Sequence, residues 1–341
     1  MQDSMEKAAA LIQTEVDSGT LESAVLDVRR GSFSFSQAFG KAASADAIFL
    51  LASITKPMAA AGVMLLADRG ELKLSDQARK FIPEFSEGDR KDITIEQLLI
   101  HTSGLPDQLP ENADLRKAHS PLSEFVKAAI HTPLLFKPGT KYSYQSMGIL
   151  LLAEIAERIT QTPFPNFLAD EIFTPLGMNR TALGLGKLQI SDTIRCQTQS
   201  AAAESGAGAA DTKSWDWNSE YWRKLGSPWG GAHGSAGDVA TFLQSFLKPD
   251  GKVLRKETAH LMIQNHTEGL ESPRGLGFDL ATSSYGESCS PKTFGHRGAT
   301  GTLAWADPET DLSCVILTSL PLGVSEKSLL KPVSNLVSAA A

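Results

Sequence analysis

Ser53 and Lys56 stand three residues apart in Ser53-Ile54-Thr55-Lys56. On a helix that spacing puts both side chains on one face, within reach of each other. A serine hydroxyl attacks a carbonyl poorly until a neighbour takes its proton. A lysine can take it where burial lowers its pKa, because desolvation disfavours the ammonium form. The residues after Lys56, Pro57-Met58-Ala59-Ala60-Ala61-Gly62-Val63-Met64-Leu65-Leu66, are apolar. They predict a buried helix, with Lys56 starting inside the protein and not on a solvated face. A serine in the first turn of a helix also gains a positive field and free backbone N–H groups for a developing anion. Taken alone, Ser-x-x-Lys equally describes a capping serine beside a solvated lysine, so its surroundings decide.

Two further segments have the same character. Pro138-Gly139-Thr140-Lys141-Tyr142-Ser143-Tyr144 reads as a turn leading into a second apolar helix. Phe294-Gly295-His296-Arg297-Gly298 reads as a strand. Glycines flanking a strand histidine suit close approach of a ligand to the backbone.

These residues need elements to bring them together. Residues 5 to 17 carry Ala8, Leu11, Ile12 and Val16 at helical spacing. Residues 24 to 29 and 32 to 39, joined at Arg30-Gly31, predict a β-hairpin. Helices are expected over 57–69, closed by Gly70, and over 94–101, 148–160 and 238–247. Strands return late, over 275–282, 292–295, 302–307 and 312–318, with Pro308-Glu309-Thr310-Asp311 as the turn between the last two. A final helix is expected over 325–339. Strands at both ends and helices between them predict an α+β fold. One antiparallel sheet would be built from both ends of the chain and flanked by the terminal helices, with an all-helical domain inserted. The expected bounds are 1–55 with 235–341 for the discontinuous α/β domain and 56–234 for the helical one. Ser53 and His296 must share a cleft, which puts the site at the interface of the two.

The motifs together resemble those of the penicillin-recognising serine hydrolases, the superfamily of class C β-lactamases, DD-peptidases and family VIII carboxylesterases, over nearly the whole chain. Ser53-Ile54-Thr55-Lys56 matches the Ser-x-x-Lys motif. Tyr144-Gln145-Ser146 falls where the family has Tyr-x-Asn, and His296-Arg297-Gly298 where it has Lys-Thr-Gly or His-x-Gly. Flanking markers also fit: residues 98–106 (Leu98 to Pro106), Gly230-Gly231 ahead of Ser235-Ala236-Gly237-Asp238, and Trp305-Ala306-Asp307-Pro308. The resemblance implies a β-lactamase/transpeptidase-like fold and assigns roles. Ser53 would be the nucleophile of an acyl-enzyme. Lys56 and Tyr144 would share general-base and general-acid duty, in an order left open. His296 would hydrogen-bond in the Tyr144 and Ser53 network. The backbone N–H groups of Ser53 and Ala299 would form the oxyanion hole. Gln145, Ser146, Arg297 and Gly298 would contact substrate. No metal or organic cofactor is implied.

Two departures bear on the substrate. Ser146 replaces the asparagine whose amide faces a substrate amide, and offers only a hydroxyl. His296 replaces the usual lysine, a fixed cation for a substrate carboxylate; histidine with a pKa near 6.5 is mostly neutral at neutral pH. Both lean toward uncharged esters, with Arg297 able to restore a cation, and His296 is expected to shape the acid limb of activity. The reading is a serine carboxylesterase for short-chain acyl esters. The alternatives are a β-lactamase, DD-peptidase or D-aminopeptidase-type amidase of the same fold, and a non-enzymatic scaffold. Ser53, Lys56 and Tyr144 are all intact, which argues against a scaffold.

Composition sets the remaining bounds. The chain of 341 residues has 32 Lys and Arg against 39 Asp and Glu, a net charge of −7. That balance does not favour nucleic acid as partner, and the expected partner is a small-molecule ester, with a lactam or amide as the alternative, bound by a monomer or a homo-oligomer. The longest apolar run, Pro57 to Ala67, is too short to span a membrane. The first residues lack a basic segment before an apolar one, so the expected location is the cytoplasm. Cys196, Cys289 and Cys314 cannot all pair and form no Cys-x-x-Cys motif. His101 and His233 are expected to make turn hydrogen bonds. His119, His131, His260 and His266 show no metal spacing, and 88–92 reads as a solvated loop. Trp215, Trp217, Tyr221, Trp222 and Trp229 are read as core packing, with an aromatic wall of the acyl pocket as the other reading. Residues 200–210 are expected to form a mobile surface loop.

Overall fold

Ser23–Arg30, buried on both faces over its first six residues, and the alternating Phe33–Gly40 form β1 and β2, antiparallel strands turned at Gly31, whose φ of 55° is one that glycine adopts without strain. The computed structural model describes residues 1–202, 210–281, 283 and 285–341. The expected loop at 200–210 therefore lies mostly outside the described residues, as does Thr282. β3 (Phe49–Leu50), β4 (Ala182–Leu183) and β5 (Ala232–Gly234) are short. The last four strands are β6 (Asp279–Leu280), β7 (Phe294–Gly298), β8 (Thr302–Asp307) and β9 (Leu312–Thr318).

Six of these strands form one sheet in the order β2-β1-β9-β8-β7-β6, so the N-terminal hairpin joins the C-terminal strands through β1 and β9. Alternate residues face opposite sides. Leu26, Val28, Leu303, Trp305, Cys314 and Ile316 face one side, where helices Gln2–Asp17 and Lys331–Ser338 cover them with Met5, Ala8, Ile12, Val333 and Val337. Val25, Ala304, Ala306, Val315 and Leu317 face the other, in a second core with helices Thr55–Asp68, Met147–Thr160 and Ala236–Leu247. Helix Thr55–Asp68 is buried almost all round, as its unbroken apolar sequence requires.

Three expectations need correction. The middle of the chain is not all-helical: β4 and β5 lie in it and pair with β3 in the order β3-β5-β4. The strand expected over 275–282 shrinks to Asp279–Leu280, because the Gly275 N–H bonds back to the Phe278 carbonyl and Gly277 has φ 88°. There a Cβ would lie 2.5 Å from the Ala60 Cβ, so only glycine fits the turn. The last helix is also interrupted, running as Leu322–Ser325, a wide turn Glu326–Leu330, then Lys331–Ser338. Among the described residues no helix is long and apolar enough to cross a membrane.

Candidate active site

A 3₁₀ turn, Ala52–Ile54, joins β3 to helix Thr55–Asp68 and holds Ser53. Ala52 has φ 48°, in the left-handed region that a residue with a Cβ enters at a cost. Hydroxyl side chains hold the turn. Thr55 donates to the Ala52 carbonyl at 2.6 Å and accepts from the Ala232 N–H at 3.0 Å. Thr300 donates to Leu50 O at 2.7 Å and Thr302 to Leu51 O at 2.9 Å. The end of β7 closes on the same turn. A Cβ on Gly298 would lie 2.4 Å from Leu51 O, so a side chain there would push β7 away from Ser53. Packing also requires the glycines beside His296: a Cβ on Gly295 would strike Ala304 O and Trp305.

Lys56 is fully enclosed. Its Nζ lies 3.1 Å from Ser53 Oγ and donates to the Trp229 carbonyl at 2.8 Å. Burial pulls its pKa down to about 7; the Asp107 carboxylate opposes this and the Arg274 guanidinium adds to it. Tyr144 lies with its ring centre 4.7 Å from Lys56 Nζ. Burial and Asp107 push its hydroxyl well above the usual tyrosine range, against smaller effects of a hydrogen bond with Ser53 and of Arg274. Near neutral pH the site thus holds a half-neutral amine and a protonated phenol around Ser53.

His296 is buried, with Nδ1 2.8 Å from the Arg297 carbonyl. A carbonyl only accepts, so Nδ1 carries the proton and Nε2 a lone pair. Nε2 has no hydrogen-bond partner among the described residues and lies 3.8 Å from Asp279 Oδ1. The expected bonding of His296 to Tyr144 and Ser53 is absent; the Tyr144 and His296 ring centres are 6.0 Å apart. Burial, Arg274 and Lys56 hold its pKa well below the usual histidine value.

The expected substrate contacts separate. The Gln145 side chain points into the core: Oε1 accepts from Ser103 Oγ at 2.6 Å and Nε2 donates to Gln97 O at 3.3 Å. It is corrected from substrate contact to support of the Leu98–Ser103 turn. Ser146 lines the cleft, but its hydroxyl donates to Asp107 Oδ1 at 2.6 Å. Arg297 also lines it, with its guanidinium bonded to Glu326 Oε1 at 2.6 Å. Ala299 lines the cleft too, and no described residue accepts from its N–H. His101 and His233 were expected to make turn hydrogen bonds; instead their rings bond across the fold, His101 Nδ1 accepting from the Gln145 N–H and His233 Nδ1 lying 2.8 Å from Gly184 O. The His101 ring also packs 4.9 Å from that of Tyr144.

The cleft has a volume of about 400 Å³. Its aromatic wall is made by Trp217, Trp222, Trp229 and Tyr142. The tryptophan-rich segment therefore divides. Trp215 packs under Arg116, 5.1 Å from its guanidinium, and Tyr221 stacks on His119 outside the cleft. Asp107, Arg116, Arg274 and Asp279 were not expected in the site. Asp107 and Arg116 come from a segment without periodicity. Arg274 pairs with Asp279 and lies 5.6 Å from the Tyr142 and Tyr144 ring centres; its sequence signal is the glycine turn that follows it.

A family model described as beta-lactamase matches residues 8–333. A candidate D-alanyl-D-alanine carboxypeptidase of Escherichia coli K12 is 27% identical over 310 residues, 82% of this chain and 70% of its own. Among solved structures, EstCE1, a hydrolase with promiscuous acyltransferase activity, superposes with a TM-score of 0.80 at 22% identity, over 98% of this chain and 99% of its own. The D-amino acid amidase of Ochrobactrum anthropi SV3 gives 0.76 at 21%, over 98% of each chain. At such identities the structures establish the shared fold, the β-lactamase/transpeptidase-like one. The match over almost the full length adds the family: the chain belongs to the beta-lactamase family and is a hydrolase of that serine-dependent superfamily.

Proposed function

We propose that the protein is a serine carboxylesterase working through an acyl-enzyme on Ser53, in a cleft at the seam between the sheet unit (1–55 with 235–341) and the insertion (56–234). Neutral Lys56 accepts the Ser53 proton as Oγ bonds to the ester carbonyl carbon. The carbonyl oxygen becomes an oxyanion against the N–H groups of Ser53 and Ala299. The C–O bond to the alcohol then breaks, and the alkoxide leaves with a proton relayed from Lys56 through the Tyr144 hydroxyl. Water attacks the acyl-enzyme with the same groups in reverse, releasing the acid and restoring Ser53.

The observation that carries the choice of ester is the Ser146 to Asp107 hydrogen bond. It uses the hydroxyl hydrogen that an amide or lactam carbonyl would need at that position. Neutral His296 supports the same reading, since no fixed cation stands there for a carboxylate. The test pairs a short p-nitrophenyl ester with a chromogenic cephalosporin, on wild type and Ser53→Ala. Ester turnover that vanishes in Ser53→Ala is expected. Ester turnover surviving that change would sink the mechanism, and strong cephalosporin turnover without ester turnover would replace the esterase by a β-lactamase.

A further inference from the structure

The charges lining the cleft do not balance in the same way. Arg274 is paired with Asp279, and Arg297 with Glu326. Arg116 lies 3.9 Å over the Trp222 ring and donates to the Trp215 carbonyl. Lys56 is the proton acceptor. Asp107 forms no ion pair among the described residues, and the donor it holds there is the Ser146 hydroxyl. That hydroxyl has a single hydrogen, directed at Asp107 Oδ1, so toward anything else Ser146 offers lone pairs. Two adjacent side chains thus present acceptors to the cleft, and neither presents a donor. They stand close to the reacting atoms, since the Asp107 field reaches both Lys56 and Tyr144.

Asp107 is half-buried, and a carboxylate partly withdrawn from bulk water without an ion-pair partner is an incomplete pair. Attraction for a cation is stronger there than in open solvent. The Trp217 ring in the same cleft favours the same sign of charge. We propose that Asp107 is a specificity-determining residue that binds a cationic nitrogen of the substrate, so that the preferred esters carry an ammonium group. The inference rests on the Ser53 acyl-enzyme reading and narrows its substrate class.

Two pairs of isosteric esters test it and distinguish where the nitrogen lies. Alanine methyl ester against methyl isobutyrate places the charge on the acyl side. Acetylcholine against 3,3-dimethylbutyl acetate places it on the alcohol side. In at least one pair, kcat/KM should favour the cationic member by on the order of tenfold to a hundredfold, the range for a hydrogen bond or contact to a charged group. Asp107→Asn should bring that ratio near one, and Asp107→Glu should keep it above one. High salt should lower the ratio in wild type, a reading that stands even if Asp107→Asn does not fold. A wild-type ratio near one in both pairs, with Ser53 still labelled by a fluorophosphonate, overturns the inference and leaves the esterase reading in place. Equal loss of both members in Asp107→Asn, with the ratio kept, also overturns it and assigns Asp107 to tuning Lys56. No labelling and no turnover of any ester overturns both readings.

Discussion

Lys56 sits in the core with its Nζ 3.1 Å from Ser53 Oγ, and burial brings its pKa to about 7. Only the neutral amine can take the Ser53 proton. Activity should therefore rise as pH increases through about 7 and level off above it, in a profile of kcat/KM against pH. An acid limb set by His296 near 6.5 was the expectation from sequence; enclosure beside Arg274 and Lys56 keeps that ring neutral, so His296→Gln should leave the limb near 7. A limb that moves or vanishes in this variant would return the titration to His296. Stability follows the same group with a defined sign. The folded pKa of about 7 is below the unfolded value of 10.5, so between these limits the unfolded chain holds a proton that the folded one has lost. Wild type is penalised fully at pH 7 and below, and the penalty fades toward pH 10.5. Lys56→Met should be inactive yet more stable at pH 7, by on the order of a few kcal/mol, with the gain shrinking in denaturant titrations at higher pH. The spacing of Ser53 and Lys56, with the apolar run behind them, made this pair legible in the sequence. The state of His296 was not, because it depends on partners contributed by residues 274 and 279.

At the scale of elements, the catalytic turn is held by contacts that no motif announces. Thr55 reads in the sequence as a spacer between Ser53 and Lys56. In the fold its hydroxyl bridges the Ala52 carbonyl and the Ala232 N–H, tying the turn to β5 while Ala52 holds φ 48°. Thr55→Val keeps the shape and removes both bonds, taking the hydroxyl acceptor from the buried Ala232 N–H and leaving the Ala52 carbonyl only the backbone N–H of residue 55. A loss of on the order of 2 kcal/mol or more is expected, with a fall in kcat as Ser53 shifts. Unchanged kcat with a lowered Tm would show that the clamp is structural only. Gly298→Ala should act from the other side, moving β7 off the Leu51 carbonyl and lowering kcat for every ester. β8 and β9 were legible because apolar residues, packed on both faces, run unbroken between turn signals. β6 was not, because Gly275 and Gly277 make a turn where alternation alone reads as strand. Asp107 stayed hidden for a similar reason: its loop is placed by the hydrogen bond from Ser146, a contact between distant residues.

Over the whole molecule, the sheet separates two cores with different tasks. The helices around Ser53 and Lys56 share one core with one sheet face, and the terminal helices share the other core with the opposite face. A substitution in the second core should therefore change stability without changing chemistry. Ser334 offers a clean case. Its hydroxyl accepts from the Trp305 indole N–H at 2.6 Å and donates to the Tyr285 carbonyl at 3.0 Å, and all three side chains are fully buried. Trp305 lies on β8, one strand from β7 and two elements from Ser53. Ser334→Ala leaves the indole N–H and the carbonyl without that partner, which costs about 1–3 kcal/mol. The expected result is a lower Tm with kcat and KM for a short ester unchanged at a temperature where the variant is folded. Because β1 and β9 join the two ends of the chain, the same loss should also raise the unfolding rate of the whole sheet, read as a single transition. A drop in kcat at full foldedness would mean that the layer under Trp305 sets the position of β7, and that the two cores are mechanically coupled through β8.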